Sequence, residues 1–161
     1  MSLPPFAAVV DEHAATVLRV CRAVVGPTDA EDAAADALLA ALEAYPRLRP
    51  DSDLRAWLVT IAHRKAVDLA RRRGRSAPVA SVAAAAHPGP EPADGALWSA
   101  VAALPVKQRS AVTLRYVGDL AYAEVAAEMG VSEAAARRSA ADGLAALRLH
   151  HRRHTTEEPT R

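Results

Sequence analysis

Positive charge is concentrated on one stretch of this chain. His63, Arg64, Lys65, Arg71, Arg72, Arg73 and Arg75 fall close together within Asp53–Arg75. Guanidinium and ammonium groups at that density pair with phosphates and release counterions, so they point to polyanion binding rather than to bond-making. Leu54, Trp57, Leu58, Ile61 and Leu69 in the same stretch recur at helical spacing and predict one apolar stripe. The expectation is an amphipathic helix held by protein on one side and touching polyanion on the other. Taken alone, a solvated basic helix end that suits the macrodipole is an equal alternative.

A second set of side chains is acidic. Asp29, Glu31, Asp32, Asp36 and Glu43 give one segment five acids and no base. Thr28–Asp29–Ala30–Glu31 matches a capping box and predicts where that helix starts. Acids in its first turn suit the positive helix end, whereas Asp36 and Glu43 lie further in and raise the prospect of a face for a basic protein partner. Leu38, Leu39, Leu42 and Tyr45 are expected to form its buried side, with Pro46 ending it.

The residues that could make or break bonds do not assemble into a known constellation. There is no H-E-x-x-H, no P-loop, no G-x-S-x-G and no Cys/His cluster at ligand spacing, so neither an enzyme nor a metal or cofactor is expected. Cys21 and His13 sit on an apolar stripe and read as packing residues. His150, His151 and His154 lie in a mixed-charge tail expected to be frayed. A single cysteine excludes an internal disulfide and fits a reducing compartment. No apolar run reaches membrane-spanning length and the N-terminus lacks a charged n-region, so a cytoplasmic protein without membrane insertion is expected.

The elements that must position these residues are all helical. Half of the chain is apolar but only 4% is aromatic, with alanine prominent, which favours helices packed closely over thin cores. Phe6, Val9, Val10, Val17, Leu18, Cys21, Val24 and Val25 mark a first helix that stops at Gly26–Pro27. The acidic and basic helices follow. Periodicity then dissolves over 76–94, which reads as a flexible Pro/Ala-rich linker. Leu97, Trp98, Val101 and Leu104 open a second unit, with Pro105 at a helix start. Tyr122, Val125, Ala126 and Met129, the turn Gly130–Val131–Ser132, and a helix from Glu133 to about Arg148 form a helix-turn-helix pattern. Ser132 should cap the second helix, with Ala136, Ala140, Leu144 and Leu147 inward and Glu133, Ala134, Arg137, Arg138 and Ala141 outward. An ordinary helical hairpin is the alternative. The fold expected is all-α: a three-helix unit at 1–75, the linker 76–94, a helix-turn-helix unit at 95–149 and a disordered tail at 150–161. The halves are expected to fold as separate units.

Both halves resemble one family. DAEDAAADALLAALEAY and LRAWLVTIAHRKAVDLARRR are similar to region 2 of bacterial sigma-70 factors, especially the extracytoplasmic-function group. LPVKQRSAVTLRYVGDLAYAEVAAEMGVSEAAARRSAADGLAALR is similar to their region 4. The resemblance implies a factor that binds core RNA polymerase and directs transcription initiation from −10 and −35 promoter elements. It implies a polymerase contact at Asp29, Glu31, Asp32 and Asp36, and −10 DNA contacts at His63, Arg64, Lys65, Arg71, Arg72 and Arg73. It places −35 contacts at Arg115, Tyr122, Ser132, Glu133, Arg137 and Arg138. An anti-sigma factor is a further implied partner; a small-molecule substrate is not.

The chain departs from the family pattern in four places. Ala33–Ala34–Ala35 stands where a glutamine and bulky apolar residues are usual, and Arg64 where asparagine is common. Ala121 replaces a capping serine or threonine, and Asp142 lies where basic residues are common. Two alternatives to the initiation factor follow: a sigma-like modulator that has lost promoter reading, and a free-standing helix-turn-helix regulator.

Overall fold

The computed structural model describes residues 2–76 and 94–156. It holds helices α1 (Phe6–Val25), α2 (Ala30–Ala44), α3 (Leu54–Ser76), α4 (Gly95–Ala102), α5 (Val106–Val112), α6 (Tyr122–Met129) and α7 (Glu133–Thr156). A 3-10 turn at Tyr45–Arg47 follows α2, and a π turn at Thr113–Val117 prolongs α5. The described residues contain no strand, in keeping with the all-α expectation. The linker apart from its end residues, the last part of the tail and the side chain of Arg75 lie outside the described residues.

The first three helices pack on one another. Val9, Val17, Val20, Cys21 and Val24 of α1 face Ala30, Ala33, Ala34, Ala37 and Ala41 of α2, and Leu58, Val59, Ala62 and Ala66 of α3. Alanine on two of the three faces lets the helix backbones approach closely. Two expectations for α2 are corrected here. Its buried side is the alanine stripe, while Leu39 and Leu42 are half exposed, at 57% and 50%. Its start is one residue later than the capping box implied: Thr28 and Asp29 belong to a turn, and no side chain caps the helix. The Asp29 carboxylate instead pairs with Arg73 at 2.9 Å.

α1 ends where expected, at Gly26, whose φ of +82° favours glycine. α3 is capped by Asp53, whose Oδ1 accepts from the Ala56 N–H at 2.9 Å. The most buried stripe of α3 is Leu58, Val59, Ala62 and Ala66, with Leu54, Trp57, Ile61 and Leu69 packed at its edges. Trp57 joins a line of rings through Tyr45 to Phe6, at centroid separations of 6.1 and 5.1 Å.

The second unit does not stand apart from the first. Leu114, Leu120, Val125, Ala126 and Ala136 belong to the same continuous core as α1, α2 and α3. Ala23 of α1 joins Val101, Leu104 and Val112 in a smaller cluster edged by Trp98 and Leu147. α1 is the shared wall, touching α4, α5 and the π turn. The two helical units expected from the sequence therefore meet over a common apolar seam.

α6 ends at Gly130, which is left-handed at φ 65°, ψ 36°, and the Val131 N–H returns to the Ala126 carbonyl at 3.1 Å. α7 then leaves the turn and runs to Thr156, well past the point where a disordered tail was expected. Its last turns carry their own ties: Thr155 Oγ1 donates to the His151 carbonyl at 2.9 Å, and the His150 and His154 rings lie 4.3 Å apart.

Candidate nucleic-acid interface

The helix-turn-helix is built as its residues predict. Ser132 Oγ accepts from the Ala135 N–H at 3.1 Å, capping α7. Ala136 and Ala140 are fully buried, and Glu133, Ala134, Arg137, Arg138 and Ala141 are exposed. Ala121 has no oxygen to cap α6, so only the reciprocal half of a capping box forms, with Glu124 Oε2 accepting from the Ala121 N–H at 2.9 Å.

Around the start of α7 the side chains hold one another. Arg137 donates to Glu133 Oε1 at 2.6 Å and lies 4.3 Å over the Tyr122 ring. Arg115 lies 5.1 Å from the same ring and donates to the Leu120 carbonyl at 3.0 Å. Tyr122 and Tyr116 bring their hydroxyls to 3.4 Å. Ser132, Glu133, Arg137, Arg115 and Tyr122 are thus neighbours of one surface. Arg138 points out beside them with no partner among the described residues, and Asp142 is exposed one turn on.

The basic residues of α3 divide into two groups. Arg71 and Arg72, near the helix end, are exposed and pair with nothing among the described residues, and Lys65 is half-buried. Arg73 is tied to Asp29. His63 and Arg64 instead lie in the seam between the two units. His63 is only 7% exposed, and its Nε2 lies 3.1 Å from Ser110 Oγ on α5. Arg64 donates through Nε and Nη2 to the two oxygens of Glu128 on α6, at 2.9 and 2.8 Å. His63 Nδ1 is 3.6 Å from the same carboxylate, beyond hydrogen-bond reach and an ion pair only when the ring is protonated.

Glu128 is the hub of this seam. Burial pushes its carboxyl up, but His63 and the two-pronged Arg64 pull it down further and leave it below its ordinary value. The same pairing raises Arg64. More than two turns earlier on α3, Arg55 donates to the carbonyls of Gly118 and Asp119, the second at 3.1 Å. That loop leaves the π turn tightly: the Gly118 N–H returns to the Thr113 carbonyl at 2.9 Å, and Asp119 takes φ of 54°. Arg55, Ser110, Gly118 and Glu128 carried no signal in the sequence, because their partners are many residues away.

The acidic face of α2 is distributed as its spacing implies. Asp32, Asp36, Leu39 and Glu43 share an exposed side, with Glu31 also exposed near its start. Leu39 and Leu42 add apolar surface to that face, which the sequence reading had placed inside.

A three-helix unit with a basic third helix, joined to a helix-turn-helix with a capped reading helix, defines a two-part DNA-binding protein. Residues 9–76 match Sigma-70 region 2, and residues 94–147 match Sigma-70, region 4. The chain belongs to the sigma-70 family, in its extracytoplasmic-function group. Among solved structures it is similar to CnrH in complex with the cytosolic domain of CnrY, at 25% identity and a TM-score of 0.63 over 89% of this chain and 85% of that one. It is also similar to the sigma factor RpoE in complex with the anti-sigma factor NepR from Bartonella quintana, at 24% identity and a TM-score of 0.66 over 88% and 90%. No curated protein matches the chain. Among the described residues no helix is long and apolar enough to cross a membrane, and no group of three or more His, Cys, Asp or Glu is placed to hold a metal ion.

Proposed function

We propose that this sigma factor binds core RNA polymerase and directs initiation at promoters, with α3 facing the −10 element and α7 the −35 element. The observation that carries this reading is the joint presence of a capped, outward-facing α7 and a basic α3 in the order the family uses. Helix-turn-helix proteins place the first turns of the second helix in the major groove, where arginine matches guanine O6 and N7. Arg138 is the side chain available for that contact, while Arg137, Arg115 and Tyr122 form a surface suited to a neighbouring phosphate. Arg71 and Arg72 supply phosphate contacts that carry no sequence information. On α2, acids beside exposed leucines fit a polymerase surface with basic and apolar character. The complex of CnrH with the cytosolic domain of CnrY favours a bound partner protein for this chain too, and an anti-sigma factor is the partner this reading expects.

The deciding experiment is run-off transcription with core polymerase and DNA from upstream of the protein's own gene. A discrete transcript that depends on the added chain supports the reading. Co-purification with polymerase but no transcript would favour the second reading, a modulator that occupies polymerase without reading promoters. The alanine-rich outward face of α7 and the tethering of Arg137 to Glu133 are the observations on its side.

A further inference from the structure

Three of the six histidines of this chain, His150, His151 and His154, fall on the last turns of α7. Residues four apart on a helix stand one above the other on the same face. His150 and His154 are in that relation, and their rings lie 4.3 Å apart at an interplanar angle of 56°. Two imidazoles that each reach one ion over about 2.0–2.1 Å, at right angles to one another, have ring centroids about 4.5 Å apart. The pair is therefore already close to the spacing that a shared ion requires. Both rings line a hollow of about 400 Å³ together with Asp94, Leu97, Ala100 and Leu147. A water molecule takes about 30 Å³, so the hollow has room for an ion and its remaining waters. Asp94 brings a carboxylate to it, held by the Trp98 indole N–H at 2.8 Å, and among the described residues no Arg or Lys lines it.

We propose that His150 and His154 bind one transition-metal dication of the zinc or nickel class, with water in its other positions and Asp94 acting on it through charge. Imidazole suits these metals, whereas magnesium and calcium take oxygen ligands. Among the described residues no group of three or more His, Cys, Asp or Glu is placed to hold an ion, so this is an exchangeable site and not a closed structural one. The ion joins one turn of α7 to the next where the helix is running out of backbone partners. It therefore stiffens the end of α7 opposite the Ser132 cap. The site uses no side chain assigned above to promoter or polymerase.

The test uses the full chain without an affinity tag and Zn²⁺ alone, titrated by calorimetry, with amide hydrogen exchange over the end of α7 as a second readout. One ion per chain should bind and slow exchange across residues 150–156, and Mg²⁺ should do neither. His150→Ala and His154→Ala should each weaken binding by about a hundredfold, the gain that is lost when two linked donors become one. Each should also remove the protection that the metal confers. Alanine is the better helix former, so that loss cannot come from helix propensity. His151→Ala should leave affinity and protection as they are. His154→Ala combined with Arg152→His keeps the number of histidines but turns the second ring off the shared face, and should behave as H154A alone. Failure of the wild type to bind Zn²⁺ overturns the proposal, as does binding that survives H150A and H154A. An equal loss in H151A, or recovery on adding R152H, also overturns it, because either marks a histidine-rich helix end with no defined pair.

Discussion

Replacing Gly118 by alanine should wedge the two units apart at one point. A Cβ at Gly118 would sit 2.5 Å from Val59 Cγ1 and 3.0 Å from the Leu114 carbonyl oxygen. Val59 is fully buried on α3, and a valine in a helix has one strongly preferred rotamer, so it cannot swing aside. Overpacking of this kind costs about 1–3 kcal/mol. Gly118 has φ of −83° and ψ of −14°, which alanine adopts readily, so reduced freedom of the unfolded chain returns about 0.4–1 kcal/mol. The net loss should be about 1–2 kcal/mol. Val59→Ala alone should cost about 2 kcal/mol, from two methyl groups at about 0.8 kcal/mol each plus a small cavity. Combined, the changes should cost about 1 kcal/mol less than their sum, because the smaller residue makes room for the new methyl. Urea unfolding followed by tryptophan fluorescence reads this from both units, since Trp57 lies in one and Trp98 in the other. The wild type should unfold in one transition shared by the two probes. Gly143→Ala is the control: its Cβ meets Val112 and Gln108 within the second unit, so its cost should be independent of Val59. Strict additivity of G118A and V59A would refute the packing argument, as would two separate transitions in the wild type.

Three further outcomes are expected. Asp32→Lys with Asp36→Lys should weaken core polymerase capture with helicity intact, and Leu39→Ser should weaken it without a change of charge; unchanged capture in a pull-down tells against an α2 docking face. Arg138→Ala should cost about 1–3 kcal/mol against one base pair of the preferred site if it reads guanine, whereas a loss spread evenly over all sequences in a competition assay assigns it to phosphate. Acid should open the seam: because the folded Glu128 carboxyl lies below its ordinary value, its contribution is complete above that value and is lost as pH falls through the lower folded one. Scattering during acidification should show expansion only below the ordinary glutamate value, and Glu128→Gln should abolish that step.

Much of the local structure is written in short-range pattern. The periodicity of α1, the Gly26 stop, the Gly130–Ser132 turn and the outward order of Arg137 and Arg138 depend on residues a few positions apart. The same is true of the acids of α2 and the basic end of α3. Leu39 and Leu42 defeat that approach because alanine and leucine both count as apolar in a periodic pattern. Which of them goes inside depends on how closely the neighbouring helices approach, and here α1 and α3 come close enough to favour the alanines. The fates of His63 and Arg64 were likewise set beyond the reach of local spacing. Their charge and position in the chain indicate DNA, and nothing nearby in sequence opposes it. Glu128 lies 64 residues from Arg64. Only burial of Val59 against Gly118, and of the first unit's core against Leu114, Leu120 and Val125, brings that carboxylate to the guanidinium. Which helices form, and where their charges lie, follows from the chain's own order; which of those charges meet a distant partner was decided by an apolar seam that only the tertiary fold creates.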